Sequence, residues 1–333
     1  MSLEVAVAAA LFMGVIAYAI LGGADFGSGF FDLTAGDAQQ GAQLRTLLDH
    51  SIGPVWEANH VWLIYVLVLW WTAFPESFAA AMTTLVLPLL LALLGIVLRG
   101  ASFAFRKFAA TLGQARLFGA VFATSSILTP FCLGTVAGGI ASGRVPLDGT
   151  GDRWSSWINP TSLLGGVIAV GMCAFLAGTF LVADAQRGGH TSLAARLRTR
   201  SLAVGAVTGV IVFGALLPVL EDAPTLSAGL TGKAAPLLLV SATAGAATQW
   251  LLWTRRYALA RLTAVAAVAA VVSGWGVGQY PWLLVDEITI AEAAGSPATL
   301  RALLIAVGLA GLVVIPPLGY LFRLTQSEEW SRG

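Results

Sequence analysis

The stretch Ser51-Ile52-Gly53-Pro54-Val55-Trp56-Glu57-Ala58-Asn59-His60-Val61-Trp62 opens an apolar run that continues through Trp71. Three of its side chains, Glu57, Asn59 and His60, stand where a helix surrounded by lipid should carry only apolar groups. A charge at the centre of such a helix costs about 2.5–3.5 kcal/mol on insertion scales. The run is nevertheless long enough to cross a bilayer, because about 20 residues rising 1.5 Å each match a hydrocarbon core of about 30 Å. The stretch is therefore read as the polar head of a membrane span, and the handling of protons is the reason for its cost.

The rest of the chain repeats the apolar part of that pattern. Of 333 residues, 57% are hydrophobic and 11% charged, against about 25% charged in soluble domains. The hydrophobicity comes in blocks rather than in amphipathic periods. The expected fold is an all-α, polytopic membrane protein of about nine transmembrane helices in one domain over 1–333, with spans near 4–24, 55–74, 78–98, 117–138, 159–183, 202–220, 234–253, 258–277 and 301–322. Spans two and three are joined by a hairpin of Phe74 to Ser77, and Pro88 is expected to kink span three. The first run lacks a basic leader and reads as a retained span.

Charge fixes the expected orientation. Segments after the odd-numbered spans hold 14 of the 18 cationic residues, including Arg106, Lys107, Arg187, Arg198, Arg256 and Arg332. The positive-inside rule then puts the N-terminus outside and the C-terminus in the cytoplasm. A net charge of +1 offers no field for nucleic acid. Cys132 and Cys173 lie in separate apolar runs and make no metal or redox pair. Tryptophans near span ends, among them Trp70, Trp71, Trp154, Trp250 and Trp253, read as an interfacial belt.

In span one, Gly14, Tyr18, Asp25 and Asp32 follow one another at steps of four, seven and seven, with Gly22, Ser28 and Gly29 beside them. At about 100° per residue this is one small, polar stripe, with Gly23 and Gly27 roughly opposite. Asp25 is a candidate proton relay; the alternative is a cap near the end of the span. Glu57 and His60, three apart on span two, share a face and can touch. Gly53 and His50 extend that face one way, and Ile64 and Val68 end it the other way. Such a path feeds protons inward and stops, which disfavours a proton-coupled transporter with access from both sides. The alternative for His60 is a core histidine bonded to Glu57. Arg99, at the end of span three, is expected to snorkel to the surface, with a specific role as the alternative. Only His50, His60 and His190 are available as imidazole ligands, so the chain is a poor holder of several haems.

The runs Gly22-Gly23-Ala24-Asp25-Phe26-Gly27 and Gly53 to Trp62, with Ala73-Phe74-Pro75, Arg99-Gly100 and Phe103-xx-Arg106, resemble subunit II of the cytochrome bd-type quinol oxidases. The resemblance is specific over about 14–107 and rests beyond that on span count. It implies a partner, subunit I, that carries haem b and haem d, and a complex in the bacterial cytoplasmic membrane that oxidises quinol and reduces O₂ to water with cytoplasmic protons. It implies no catalytic residue and no metal ligand in this chain. It leaves open a structural quinone and small accessory subunits. Asp25 and Glu57 match acidic positions of the proton path, with Asn59 and His60 beside them. Trp62 matches a position near an O₂ access route, and Trp56 and Arg99 fall within the matching motifs. Some members carry Asp at Glu57 and Gln at His60.

Overall fold

A computed structural model describes residues 2–36, 41–52, 56–106 and 108–325. Gly53, Pro54 and Val55 of the opening stretch, Lys107 and Arg332 lie outside the described residues. The chain folds as helices α1 (Leu3–Leu33), α2 (Ala42–Ile52), α3 (Trp56–Ala73), α4 (Pro75–Thr84), α5 (Val86–Arg106), α6 (Leu112–Ala141), α7 (Pro160–Arg187), α8 (Thr191–Gly214), α9 (Leu216–Asp222), α10 (Pro224–Thr231), α11 (Ala235–Trp253) and α12 (Tyr257–Gln279). A two-stranded antiparallel hairpin, β1 (Trp282–Leu284) and β2 (Ile288–Thr289), precedes α13 (Pro297–Thr325). Among the described residues, eight helical segments are long and apolar enough to cross a membrane, or nine if the bent pair α2–α3 counts as one. The fold is all-α and polytopic. Large apolar side chains such as Leu309, Leu312 and Val313 of α13 and Leu90, Leu93 and Val97 of α5 stay exposed on its flanks, as they must where lipid is the solvent.

Helix ends follow local chemistry. Thr111 and Gln114 form a reciprocal capping box at the start of α6. Asn159 caps α7, with Pro160 in the first turn. Phe74 alone separates α3 from α4, so the hairpin expected over Phe74–Ser77 is tighter than its sequence suggests. The apolar run 78–98 is not one helix: the chain breaks at Leu85, and Pro88 falls in the first turn of α5. Pro88 starts a helix there instead of kinking one, because first-turn N–H groups have no intrahelical partner to lose.

Helix α1 is the hub, packed against α3, α6, α7, α12 and α13. It runs nine residues past the expected end at residue 24. The small and polar residues that lower its hydropathy there are buried contact residues, not a loop. A Cβ on Gly27 would lie 1.9 Å from the Cys173 carbonyl oxygen of α7, and one on Gly29 would lie 2.2 Å from Ser126 Cβ of α6. Without side chains at these points two helices approach to backbone contact. The two faces of α1 divide as the spacing predicts, with Gly23 and Gly27 toward α7 and Asp25 and Gly29 toward α3, α5 and α6.

Candidate functional site: a buried polar cluster between α1, α3, α5 and α6

Asp25 lies within α1, eight residues before its end, and is 6% exposed. It is therefore not a cap. Its Oδ2 accepts a hydrogen bond from Asn59 Nδ2 of α3 at 2.6 Å. Asn59 is 2% exposed and also donates to the Leu21 carbonyl at 3.3 Å.

Arg99 does the opposite of snorkelling. It is 1% exposed and turns inward, donating from Nη2 to the Asp25 backbone carbonyl at 3.0 Å and from Nε to Ser126 Oγ at 3.1 Å. Its guanidinium lies over the rings of Phe26 and Phe122, 5.0 and 5.2 Å from their centroids. The reason is local: α1 and α6 bring two acceptors and two aromatic faces to a planar, weakly hydrated cation, which tolerates burial better than an ammonium would. Its positive charge acts on the Asp25 carboxylate, so the cluster holds one buried cation and one buried acid.

His60 lies beside Asp25's neighbours rather than against Glu57. Its Nδ1 is 3.4 Å from the Tyr18 hydroxyl, and its ring meets those of Tyr18, Phe26 and Trp56 at 6.0, 5.8 and 6.2 Å. Glu57 is exposed on the flank of α3, and among the described residues no hydrogen bond joins it to His60. Three-residue spacing permits contact, but the aromatic box draws the imidazole inward and leaves the carboxylate outside. Trp56 also meets Phe103 at 6.0 Å, and half-buried Trp62 stands edge-on to Tyr65. His50 is bonded to its own helix through the Thr46 carbonyl.

Two turns along α1, Asp32 is buried and pairs with Arg45 and Arg106, each at 2.8 Å; Arg106 also reaches Asp49 at 2.8 Å. The spacing on the two helices matches. Asp25 and Asp32 are seven apart on α1, Arg99 and Arg106 are seven apart on α5, and each arginine meets the α1 residue at its own level. That doubled interval is the sequence signal that could have placed Arg99 inside. Asp49, Arg45 and Ser126 carry no comparable signal. The stripe thus runs about 10 Å, at 1.5 Å per residue, from an ion-pair rim to Asp25. Beyond His60, α3 presents exposed Ile64 and Val68.

A sequence profile described as cytochrome bd terminal oxidase subunit II matches residues 3–325. The chain is 29% identical over 235 residues to the cytochrome bd ubiquinol oxidase subunit 2 of Bacillus subtilis, covering 70% of this chain and 67% of that one. It is 28% identical over 214 residues to the cytochrome bd-I ubiquinol oxidase subunit 2 of Escherichia coli, covering 61% of this chain and 54% of that one. The matched stretch thus spans about half the length of the latter. Its fold is similar to a chain of the bd oxidase from Geobacillus thermodenitrificans, with a TM-score of 0.81 over 98% of this chain and 99% of that chain, at 24% identity.

Proposed function

Because the chain belongs to the cytochrome bd terminal oxidase subunit II family, we propose that it works as the haem-poor half of a quinol:O₂ oxidoreductase, steadying a haem-bearing subunit I and bringing it protons. Its place is a cytoplasmic membrane, with the Asp32–Arg106 rim on the cytoplasmic side, as the distribution of cationic residues supports. The observation that carries the reading is buried Asp25, whose carboxylate accepts from Asn59 and whose backbone carbonyl accepts from Arg99, in line with that rim. A carboxylate in such a place is costly, and ionisable groups kept inside membrane spans mark proton and ion paths. Protons enter at the rim, reach Asp25 and its neighbours Asn59 and His60, and leave toward the partner by way of Glu57. Glu57 shares the exposed flank of α3 with Val61, Ile64 and Val68, a face suited to cover by another membrane subunit.

Haem fits this chain poorly. Among the described residues His60 is the histidine set in the apolar part of a span; it is half-buried, and its Nδ1 faces the Tyr18 hydroxyl. Axial ligation is made by a ring-nitrogen lone pair, so this single imidazole offers at most one axial position. The reading accordingly places the haems, and the electron transfer, on subunit I.

The test is quinol-driven O₂ uptake by the assembled complex carrying Asp25→Asn or Glu57→Gln. Uptake falls in both while the haem spectrum persists. Normal turnover in both removes the proton path, and loss of haem points to an assembly role instead.

A further inference from the structure

Asn59 holds an unfinished set of hydrogen bonds. Both partners of its Nδ2 lie on α1, and its Oδ1 is fully buried with no partner among the described residues. The amide is planar, so the acceptor edge points away from the two acceptors that its donor edge serves. A buried acceptor left without a donor costs about 1–3 kcal/mol. The surrounding titratable and charged groups are Tyr18 and Asp25 on α1, His60 on α3, Arg99 on α5 and Cys173 on α7. The fully buried Arg99 makes this a hostile seat for a metal cation, and the Asp25 carboxylate makes it hostile to an anion.

The occupant must also be able to change roles. While Asp25 is ionised it only accepts, and the NH₂ edge of Asn59 suits it. Once Asp25 carries a proton, its O–H needs an acceptor, which Asn59 supplies if the amide turns over. The NH₂ edge then faces the seat. A neighbour that donates to Oδ1 in one state and accepts from Nδ2 in the other is water; neither a cation nor a halide does both.

We propose that one ordered water occupies the seat at Asn59 Oδ1, and that Asn59 is a positioning residue whose amide turns over as Asp25 gains or loses its proton. Protonation forms one O–H bond on the Asp25 carboxylate and breaks one O–H bond of a hydronium ion arriving along the path, which is left as water; Asn59 breaks no covalent bond and exchanges hydrogen bonds only. The inference rests on the proton-path reading above and adds to it the group that couples Asp25 to its solvent.

Two measurements on the assembled complex test it. A density map fine enough to show waters has a peak about 2.6–3.2 Å from Asn59 Oδ1; a clean, empty seat overturns the proposal and needs no variant. In infrared difference spectra across a pH step, the Asp25 carboxyl band, identified by its loss in Asp25→Asn, moves to higher frequency in Asn59→Leu, because its hydrogen bond to the amide is gone. Turnover in Asn59→Leu falls by about tenfold or more, within the range of general acid–base effects. Asn59→Ser, whose hydroxyl also donates and accepts, retains turnover within about threefold of the native protein. An unmoved band with full turnover in Asn59→Leu, while Asp25→Asn is slow, sinks this inference and spares the path. Full turnover in Asp25→Asn sinks the path itself. Turnover that follows Na⁺ or K⁺ at constant ionic strength assigns the seat to a cation and overturns the water.

Discussion

Arg99→Met is the perturbation with the most to say. The guanidinium makes two charge-assisted hydrogen bonds, to the Asp25 carbonyl and to Ser126 Oγ, each worth about 1.5–3 kcal/mol. It also covers two aromatic faces. Against these stands a desolvation cost of several kcal/mol, so the hydrogen bonds do not sum to the effect. Removal also takes a cation from the neighbourhood of the buried Asp25 carboxylate, although the guanidinium bonds the Asp25 backbone carbonyl and acts on the carboxylate only through space. The expected loss for Arg99→Met is therefore about 2–3 kcal/mol, near the cost of one charge-assisted hydrogen bond. Asp25→Asn leaves the cation uncompensated and is costly for the same reason. The double variant carries neither charge, so its loss falls short of the sum of the single losses by about 1–3 kcal/mol. Arg99→Lys keeps the charge but not the planar fork that meets two acceptors at once, and lies between the native protein and Arg99→Met. The assay is unfolding of the purified complex by a denaturing detergent, followed by helical ellipticity, for the native protein and the three variants of the cycle. Single losses that add within about 0.5 kcal/mol, or an Arg99→Met protein as stable as the native one, refute the reasoning.

Other changes have equally definite outcomes. Gly27→Ala forces a methyl group into the backbone of α7 at Cys173, whereas Gly23→Ala finds ordinary contact 3.5 Å from Cys173 Sγ and the Leu176 side chain. The first lowers stability by about 1–3 kcal/mol or more and the second is tolerated; equal melting of the two variants refutes the packing. Asp222 accepts from Arg144 and from Thr161, tying the loop after α6 to α7 and α9. Because Arg144 is a third exposed, Asp222→Asn costs only about 1–2 kcal/mol, and unchanged proteolysis of the 142–159 loop counts against that tie. The backbone N–H groups of Ser155 and Trp154 hold the Asp152 carboxyl below its usual range, and the hydroxyl and N–H of Thr289 do the same for Glu292. A carboxyl depressed by folding contributes above its unfolded value, about 3.9 for Asp and 4.3 for Glu, and the contribution is lost as pH falls through the folded value. Hydrogen exchange at residues 154–155 and 289–292, corrected for its intrinsic pH dependence, therefore shows constant protection between pH 6 and 8 and loss only in acid. Loss beginning near neutrality contradicts these turns.

Much of the molecule was legible in one dimension. Blocks of apolar residues announce membrane helices because the bilayer rewards length and composition, which any window of sequence contains. Glu57, Asn59 and Asp25 stand out because their cost in lipid is a property of each residue alone. The stripe on α1 and the opposed glycine face follow from a helical repeat that needs no partner. The arrangement in space did not follow. Hydropathy ends α1 too early because glycine, serine and aspartate lower the score even where close helix packing buries them. It also runs through the break at Leu85, because breaking a helix leaves its apolar content unchanged.

The sequence by itself therefore determined the membrane class, the helical fold and which acids are costly in an apolar span. Only the tertiary structure decided that Asp25 meets Asn59 and not solvent, that Arg99 turns inward, and that Glu57 and His60 part company on one helix. The physical reason is that a hydrogen bond belongs to two groups. Asn59 lies 34 residues from Asp25, and Arg99 lies 74. Whether an arginine near a helix end reaches for water or for a carbonyl depends on which neighbouring helices cross there, and periodicity along a single helix does not record the crossing.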